Sequence, residues 1–135
     1  MTVFQWPVRV YYEDTDAGGV VYYANYLKFF ERGRTEWLRA LGFGQQALMR
    51  DAAIVFAVRH VEIDYLQPAR FDDALLVETG IAAQSKVSIT FSQRLVRDGR
   101  ELSRATVKVV CLDKDSFKPV AIPANIIEKL NDAQQ

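Results

Sequence analysis

The residues best suited to chemistry lie close together near the start of the chain, in residues 11–25, which read YYEDTDAGGVVYYAN. Two carboxylates, Asp14 and Asp16, are separated by one residue, and two glycines follow them. Glycine lets a ligand approach backbone N–H groups closely, and the N–H groups at the start of a helix favour negative charge. A carboxylate placed just before a helix is therefore a candidate reaction centre.

Other kinds of catalytic site require residues that this sequence supplies only once. A Ser–His–Asp triad would have to use His60, the single histidine, and no serine is clearly poised beside it. One histidine and one cysteine do not make an ordinary zinc site, and the glycines match neither a P-loop nor a dinucleotide-binding pattern. Carboxylate chemistry remains, and we expect neither a metal nor a cofactor.

The Asp14–Asp16 pair has three interpretations that spacing alone does not separate. Both can be turn residues, one of them accepting N–H bonds as a cap, or they can be part of a divalent-metal site. In the third interpretation Asp16 is a nucleophile or general base, and helix N–H groups polarise a carbonyl. Because an ionised carboxylate is a weak base, this chemistry suits a reactive acyl group such as a thioester.

Composition places the chain among ordinary globular proteins. Its 135 residues predict one domain, residues 1–135. Lys plus Arg and Asp plus Glu each number 17, so the charge favours neither nucleic acid nor an anionic membrane. We expect no membrane span and no secretory signal. A single cysteine, Cys111, is expected to be buried and inert, and the absence of a possible internal disulfide fits the cytoplasm.

The hydrophobic pattern predicts a strand, a long helix, a short helix, four strands and a terminal helix. Val8, Val10 and Tyr12 share one face of the first strand, and Pro7 suggests an edge position. The long helix is expected to end before Gly42 and to be buried on most sides of its first half. The predicted ranges, in chain order, are 5–12, 21–41, 45–50, 54–65, 75–83, 86–97, 101–112 and 123–131.

These elements predict an α+β architecture. Four consecutive strands with short connections, one of them the Asp98-Gly99 hairpin, make an antiparallel sheet. The long helix must bury its apolar face against that sheet, with a polar side that we expect to consist of Glu31, Arg32, Arg34, Glu36 and Arg39. A sheet of about five strands wrapped around one central helix satisfies both demands. A second copy could cover its open edge, so a dimer at least is expected.

Residues 15–38, TDAGGVVYYANYLKFFERGRTEWL, closely resemble the signature of the 4-hydroxybenzoyl-CoA thioesterase family. The resemblance is strongest to its YbgC branch, often linked with the Tol–Pal envelope system. It covers nearly the whole chain, continuing through WPVRVYYEDTD, VRHVEIDYLQPARFDD, FSQRLVRDG and VVCLD. It implies the hot-dog fold and hydrolysis of short-chain or aromatic acyl-CoA thioesters at a dimer interface, usually in a tetramer of two dimers.

The resemblance also implies roles for three residues. Asp16 would act as nucleophile or base, the backbone N–H of Tyr23 would hold the thioester oxygen, and Gly19 would lie where backbone and ligand approach closely. The phosphates of CoA require basic side chains or backbone N–H groups. Arg59, Ser85 and Lys86 are the candidates for that contact, since two are basic and two begin a predicted strand.

Two positions depart from the family pattern. Relatives in this branch often have histidine where this chain has Tyr23, so any role for an imidazole is absent. Gly33 stands where alanine is usual, at an expected cost to the helix of up to about 1 kcal/mol. Glu31 is an alternative carboxylate, because a sister branch places its catalytic glutamate on this helix; its surroundings match the Asp16 branch, so we interpret Glu31 as structural.

Other functions stay open at this point. The chain could be an interaction protein that holds acyl carrier protein or envelope-lipid enzymes, with incidental hydrolysis; its binding would then survive Asp16→Asn. A hot-dog dehydratase would need a catalytic histidine, and His60 lies outside the motif region. Four aromatic residues could shape an acyl pocket or fill the core, and we favour the core for each: Tyr22, Tyr26, Phe29 and Phe56.

Overall fold

A computed structural model describes residues 3–134, in which five antiparallel strands form one sheet with the order β1-β3-β4-β5-β2. The strands are β1 (Phe4–Arg9), β2 (Ile54–Tyr65), β3 (Ala74–Gln84), β4 (Ser88–Arg97) and β5 (Arg100–Asp113). The helices are α1 (Asn25–Ala40), α2 (Gln45–Ala47) and α3 (Ala124–Ala133), with a 3₁₀ turn at Tyr12–Asp14 and a π turn at Leu48–Ala52. The predicted α+β architecture with a five-stranded antiparallel sheet is confirmed.

The longest helix, α1, lies on the sheet over β1, β3 and β4. It buries Phe29, Phe30, Trp37 and Leu38, which recur at helical spacing along one face. Its end is the predicted one: Gly42 has φ +98°, and the N–H of Phe43 donates to the carbonyl of Leu38 at 2.8 Å. A glycine in the left-handed region with this bond closes the helix.

The helix approaches the sheet most closely at Gly33. A Cβ at this position would lie 2.5 Å from Val77 Cγ1 and 2.9 Å from Thr79 Oγ1. The buried Gln93 amide fixes the same spot, because its Nε2 donates to the carbonyl of Phe30 at 2.8 Å and to Thr79 Oγ1 at 2.9 Å. The glycine that looked like a small cost to the helix is therefore what lets the helix and the sheet touch.

Two expectations about α1 were wrong. Its first half is not buried on most sides, because Leu27 and, just before the helix, Tyr22 and Tyr23 are exposed. Arg34, assigned to the polar side, is only 9% exposed. Helical spacing identified the apolar stripe of α1, but Arg34 is buried together with it, and the exposed aromatic residues precede the helix.

The first strand is shorter than predicted. β1 ends at Arg9, and Tyr12 lies in the 3₁₀ turn, where it is exposed and stacks on Phe71 at 4.0 Å between ring centroids. The backbone of Val10 instead bonds to Asp73 and Asp72, at 3.0 Å in each case. These bonds hold Val10 beside the residues that precede β3. The next N–H, that of Tyr11, donates to Asp14 Oδ2 at 2.8 Å, so the chain enters the 3₁₀ turn although the alternating pattern of side chains continues.

The sheet edges agree with the sequence. β1, which contains Pro7, and β2 are the two edge strands of the described sheet. Asp98 and Gly99 form the predicted hairpin turn, with φ of 51° and 79°. Cys111 is buried as expected, and desolvation raises the pKa of its thiol. None of the helices within residues 3–134 is long and apolar enough to cross a membrane.

Substituting Gly33 tests the close contact. We expect Gly33→Ala to lower the free energy of unfolding by about 1–3 kcal/mol. The added Cβ would clash with the sheet under the helix, and this cost outweighs the better helix propensity of alanine. Urea denaturation measures the change. Gly44→Ala is the matched control, since Gly44 has φ −72° and nothing within 4 Å of an added Cβ. Equal or greater stability of Gly33→Ala would contradict the proposed contact.

Candidate active site

The two carboxylates of the D-x-D pair have different surroundings. Asp14 is 4% exposed. Its Oδ2 accepts the N–H of Tyr11 at 2.8 Å, its Oδ1 accepts the side-chain amide of Asn25 at 3.0 Å, and its carbonyl accepts the N–H of Tyr22 at 2.9 Å. Asp14 therefore ties the 3₁₀ turn to the first residue of α1, which makes it a structural carboxylate.

Asp16 is exposed in the next turn and has one oxygen free. Its N–H donates to the carbonyl of Val20 at 2.9 Å, and its carbonyl accepts the N–H of Gly19 at 3.1 Å. Its Oδ1 accepts the N–H of Gly18 at 2.8 Å, whereas Oδ2 has no partner within residues 3–134. The tight turn thus orients the carboxylate and leaves one oxygen available to a ligand.

Gly19 is explained by its backbone conformation. Its φ is +80°, in the region that favours glycine. A Cβ added at Gly19 would have nothing within 4 Å, whereas one at Gly18 would lie 3.2 Å from Asp16 Oδ1. The turn therefore requires glycine at position 19, and the close approach of a ligand to its backbone stays a prediction.

The start of α1 presents unoccupied backbone donors. The N–H of Val21 donates to the carbonyl of Ala69 at 2.8 Å, which fixes the segment before the helix. Ala24 occupies the N-cap position and supplies no side-chain cap. The N–H groups of Tyr23 and Ala24 donate no hydrogen bond among the described residues. They lie at the positive end of a 16-residue helix, where an anion is favoured.

A residue that the sequence did not single out holds this helix start. Tyr65, at the end of β2, donates its hydroxyl to the carbonyl of Tyr23 at 2.9 Å. Desolvation, and then the neighbouring Tyr26 and Tyr23, raise the pKa of Tyr65, so its hydroxyl stays protonated and remains a donor. The aromatic pattern of β2 was visible in the sequence, but a contact across 42 positions was not.

Two clefts adjoin the helix start. One of about 280 Å³ is bordered by Tyr23, Tyr26, Tyr65 and Leu66. A longer groove of about 550 Å³ begins at Leu27 and separates α1 from β2 and β5. Of the four aromatic residues expected in the core, Tyr26 and Phe29 are buried there, Tyr22 is exposed, and the half-buried Phe56 lines an extension of the groove.

The expected CoA contacts lie apart from Asp16 in the single chain. Ser85 and Lys86 occupy the turn between β3 and β4, just before the strand rather than within it. Ser85 Oγ already accepts the N–H of Ser88 at 3.0 Å, whereas Lys86 has no side-chain partner among the described residues. Arg59 is exposed on β2 beside an irregularity in its pairing with β5.

The length of β3 shows how far Ser85 and Lys86 lie from Asp16 in the same chain. Its first residue, Ala74, pairs with Arg9, close to the Asp16 turn, and its last, Gln84, leads into Ser85. β3 has 11 residues, and at about 3.3 Å per residue it is roughly 30 Å long. Lys86 therefore cannot reach a ligand at Asp16 of the same chain through a short contact.

The side chains of the described residues provide no cluster suited to binding a metal ion. Among residues 3–134 no group of three or more His, Cys, Asp and Glu side chains could hold one. His60 lies exposed on β2, where its Nε2 is 3.3 Å from Glu62 Oε1. The site therefore consists of one free carboxylate oxygen and open backbone donors.

Comparison with known proteins identifies the class. Residues 10–130 match the thioesterase-like superfamily. The chain is 54% identical to the acyl-CoA thioesterase YbgC of Haemophilus influenzae, covering 91% of this chain and 90% of that protein. It is 50% identical to the acyl-CoA thioester hydrolase YbgC of Escherichia coli, covering 93% and 94%.

A solved structure agrees in fold. The crystal structure of a probable thioesterase from Bartonella henselae superposes with a TM-score of 0.87 at 35% identity, covering 90% of this chain and 100% of that chain. The five-stranded antiparallel sheet with its helix is thus the thioesterase hot-dog fold that the resemblance implied. The chain belongs to the thioesterase-like superfamily, in the YbgC branch of acyl-CoA thioesterases.

The different surroundings of the two carboxylates predict different effects on stability. We expect Asp14→Asn to cost about 1–3 kcal/mol of unfolding free energy, because an amide NH₂ would face a backbone donor. Asp16→Asn is the matched control and should change stability by no more than about 0.5 kcal/mol, as an exposed substitution. Thermal unfolding followed by circular dichroism measures both. A larger loss for Asp16→Asn than for Asp14→Asn would contradict the assignment.

Proposed function

We propose that the chain hydrolyses acyl-CoA thioesters to a free acid and CoA, with Asp16 acting on the thioester and the N–H of Tyr23 binding its oxygen. Acyl-CoA thioester hydrolysis follows from membership of the family, whose members at 54% and 50% identity carry that activity in their names. The roles of the residues are proposed from the site. The observation that carries them is the free Asp16 oxygen in a segment that also ends in two open helix N–H groups.

The geometry supports separate roles for the backbone N–H groups and for Asp16. When the thioester carbonyl is attacked, negative charge develops on its oxygen, and fixed N–H donors stabilise that charge. The N–H groups of Tyr23 and Ala24 are such donors, and the hydrogen bond from Tyr65 to the Tyr23 carbonyl holds this turn in place. Tyr65 thus acts as a positioning residue, because it touches the peptide and not the reacting atoms.

Asp16 can complete the reaction in two ways. As a general base it accepts a proton from the water that attacks the carbonyl carbon. As a nucleophile it attacks that carbon itself, and water then opens the resulting anhydride. In both cases the carbon–sulfur bond breaks, the thiolate of CoA leaves and takes up a proton, and Asp16 returns to its carboxylate form. One water is consumed.

A second copy of the chain would complete the site. The outer edge of β2 is unpaired over 12 residues, and an exposed edge of that length is a ready partner for another strand. Two-fold pairing about the middle of β2 would set Tyr65 of one copy beside Ile54 of the other. In this arrangement the turn that contains Asp16 in one subunit lies near the end of the partner's sheet where β2 begins. We propose a homodimer on this basis, from which a homotetramer could be built.

The same pairing would bring CoA-binding groups to Asp16. Ile54 pairs with Asp113, and further along β5 the N–H of Cys111 donates to the carbonyl of Val87 at 2.8 Å. Lys86 precedes Val87, so Lys86 of the partner subunit would approach the catalytic turn. Its free ammonium group makes it a stronger candidate for a phosphate than Ser85, whose hydroxyl is engaged. Arg59, near the middle of β2, would lie close to the two-fold axis.

The alternative, an interaction protein for acyl carrier protein or envelope-lipid enzymes, gains no support from the relatives, whose names describe hydrolases. Acyl carrier protein as a thiol partner stays a hypothesis, as do the cytoplasmic location and the link to the Tol–Pal system. The acyl group also stays a prediction, since short-chain and aromatic groups both fit a reactive thioester.

Asp16→Asn tests the mechanism. We expect a loss of at least about 100-fold in kcat on a panel of short-chain and aromatic acyl-CoAs, because the amide neither attacks nor accepts a proton. Release of the CoA thiol, followed with a thiol reagent, measures turnover, and circular dichroism verifies the fold. Unchanged turnover in Asp16→Asn would overturn the role of Asp16, and undiminished partner binding with feeble wild-type turnover would favour the interaction protein.

A hybrid dimer tests whether Lys86 acts across the interface. Lys86→Ala should raise KM for acyl-CoA, whereas Lys129→Ala, a control on α3, should not. A hybrid of one Asp16→Asn chain and one Lys86→Ala chain would contain one intact site, because the two wild-type residues come from different subunits. Below KM it should therefore recover about half of wild-type activity, as expected for two sites related by symmetry. Activity no higher than the mean of the two parent homodimers would contradict the shared site.

A further inference from the structure

A groove follows the exposed side of α1 and ends at a buried arginine. Its first part, of about 550 Å³, lies between Leu27 on the helix and Val61 and Val107 on the sheet. A second part of about 230 Å³ continues toward Phe56. Both parts are lined by Arg34. The groove therefore leads from the helix start, one turn beyond Tyr23, into the body of the domain.

The guanidinium of Arg34 is fixed but has no counter-ion. The residue is 9% exposed, and Nη1 donates to Gln93 Oε1 at 3.0 Å. Gln93 is itself held by the carbonyl of Phe30. Within residues 3–134 no carboxylate forms an ion pair with Arg34. Desolvation lowers the pKa of Arg34, with Glu31 acting in the opposite direction.

An unpaired buried cation is costly, which points to a missing partner. Arginine has five N–H donors, and Gln93 uses one of them. No fully buried side-chain nitrogen in the described part of the chain lacks a hydrogen bond, so the unbonded nitrogens of Arg34 keep some contact with solvent, and Arg34 lines both parts of the groove. They offer the fork that binds a carboxylate.

The charge around the groove is predominantly positive. Lys28, Arg32 and Arg34 line it together with one carboxylate, Glu31, so the positive excess is two charges. The floor is apolar, with Val58, Val61 and Val107. An apolar ligand with an anionic end fits this combination better than a neutral one.

The position of Arg34 suits the end of an acyl chain. It lies 11 residues after Tyr23, or about 16 Å along the helix axis at 1.5 Å per residue, and helical side chains lean back toward the N-terminus. We infer that this groove receives the acyl group and that Arg34 binds a carboxylate at its far end, so that the substrates are acyl-CoAs whose acyl group ends in a carboxylate. This inference rests on the proposed function, because it takes the thioester to lie at Tyr23.

The inference predicts a preference that a merely structural arginine would not produce. The experiment compares kcat/KM for matched pairs of six, eight and ten carbons: hexanoyl- against adipoyl-CoA, octanoyl- against suberyl-CoA, and decanoyl- against sebacyl-CoA. We expect wild type to prefer the carboxyl-ended member by at least about tenfold at one length, as a site built for a polar group does. The absence of such a preference at all three lengths would overturn the inference.

Substitutions assign the preference to Arg34. Arg34→Met should lower kcat/KM for the carboxyl-ended substrate by at least about tenfold and change the methyl-ended one by less than about threefold. Arg39→Met, an exposed arginine on the same helix, is the matched control. An equal loss on both substrates would mean that Arg34 is structural, or pairs with a carboxylate of the partner subunit. If Arg34→Met does not fold, Arg34→Lys, which keeps the charge and loses the fork, gives the same comparison.

A binding measurement separates this inference from the proposed catalysis. Calorimetry with Asp16→Asn and ligands of the preferred length should show the free carboxylic acid binding more tightly than its neutral primary amide. Loss of that difference in a double variant with Arg34→Met would place the carboxylate at Arg34. Equal binding of the acid and the amide would overturn the inference even if Asp16 is catalytic. A retained difference with full turnover in Asp16→Asn would overturn the role of Asp16 alone.

Discussion

The hydrogen bonds of Asp14 hold together the two parts of the chain on which the proposed chemistry depends. One oxygen binds the N–H of Tyr11 before the turn, and the other binds the amide of Asn25 at the start of α1. A buried carboxylate that satisfies these donors is costly to remove. It fixes the Asp16 turn relative to the open N–H groups of the helix, so the free oxygen and the donors keep one geometry without a metal in the proposed mechanism.

The helix is positioned from its other side by the contact between α1 and the sheet. Gly33 lies directly on β3, and Gln93 reaches from β4 to the carbonyl of Phe30 while accepting a bond from Arg34. The buried amide of Gln93 is therefore satisfied under α1, whereas Arg34 keeps unbonded nitrogens. The hydrogen bonds that hold α1 on the sheet also hold Arg34 at the groove. The same bonds therefore serve both the packing of the helix and the proposed binding of a carboxylate.

Much of the fold could be predicted because its signals are local. The Asp98-Gly99 turn requires positive φ, and the alternation in β4 is a property of consecutive residues. Predictions failed where a turn ends a strand, or where a segment distant in sequence determines the burial of a side chain or its hydrogen-bond partner. Tyr12 continues the alternation of β1, but the N–H of Tyr11 donates to Asp14 Oδ2 in the 3₁₀ turn and the pairing with β3 ends. Arg34 was assigned to the surface by its residue type, and Tyr65 was missed because its partner, Tyr23, is far away in sequence.

The absence of a side chain at position 33 links the helix to two neighbouring residues of one strand. Because a Cβ at Gly33 would lie 2.5 Å from Val77 Cγ1 and 2.9 Å from Thr79 Oγ1, the combined volume of these three positions sets the height of α1 above β3. A relative with alanine at 33 can keep the same height only with smaller or displaced side chains at 77 and 79, or else its helix rises and its groove widens. The width of the space beside α1 therefore depends on three positions, none of which lines it.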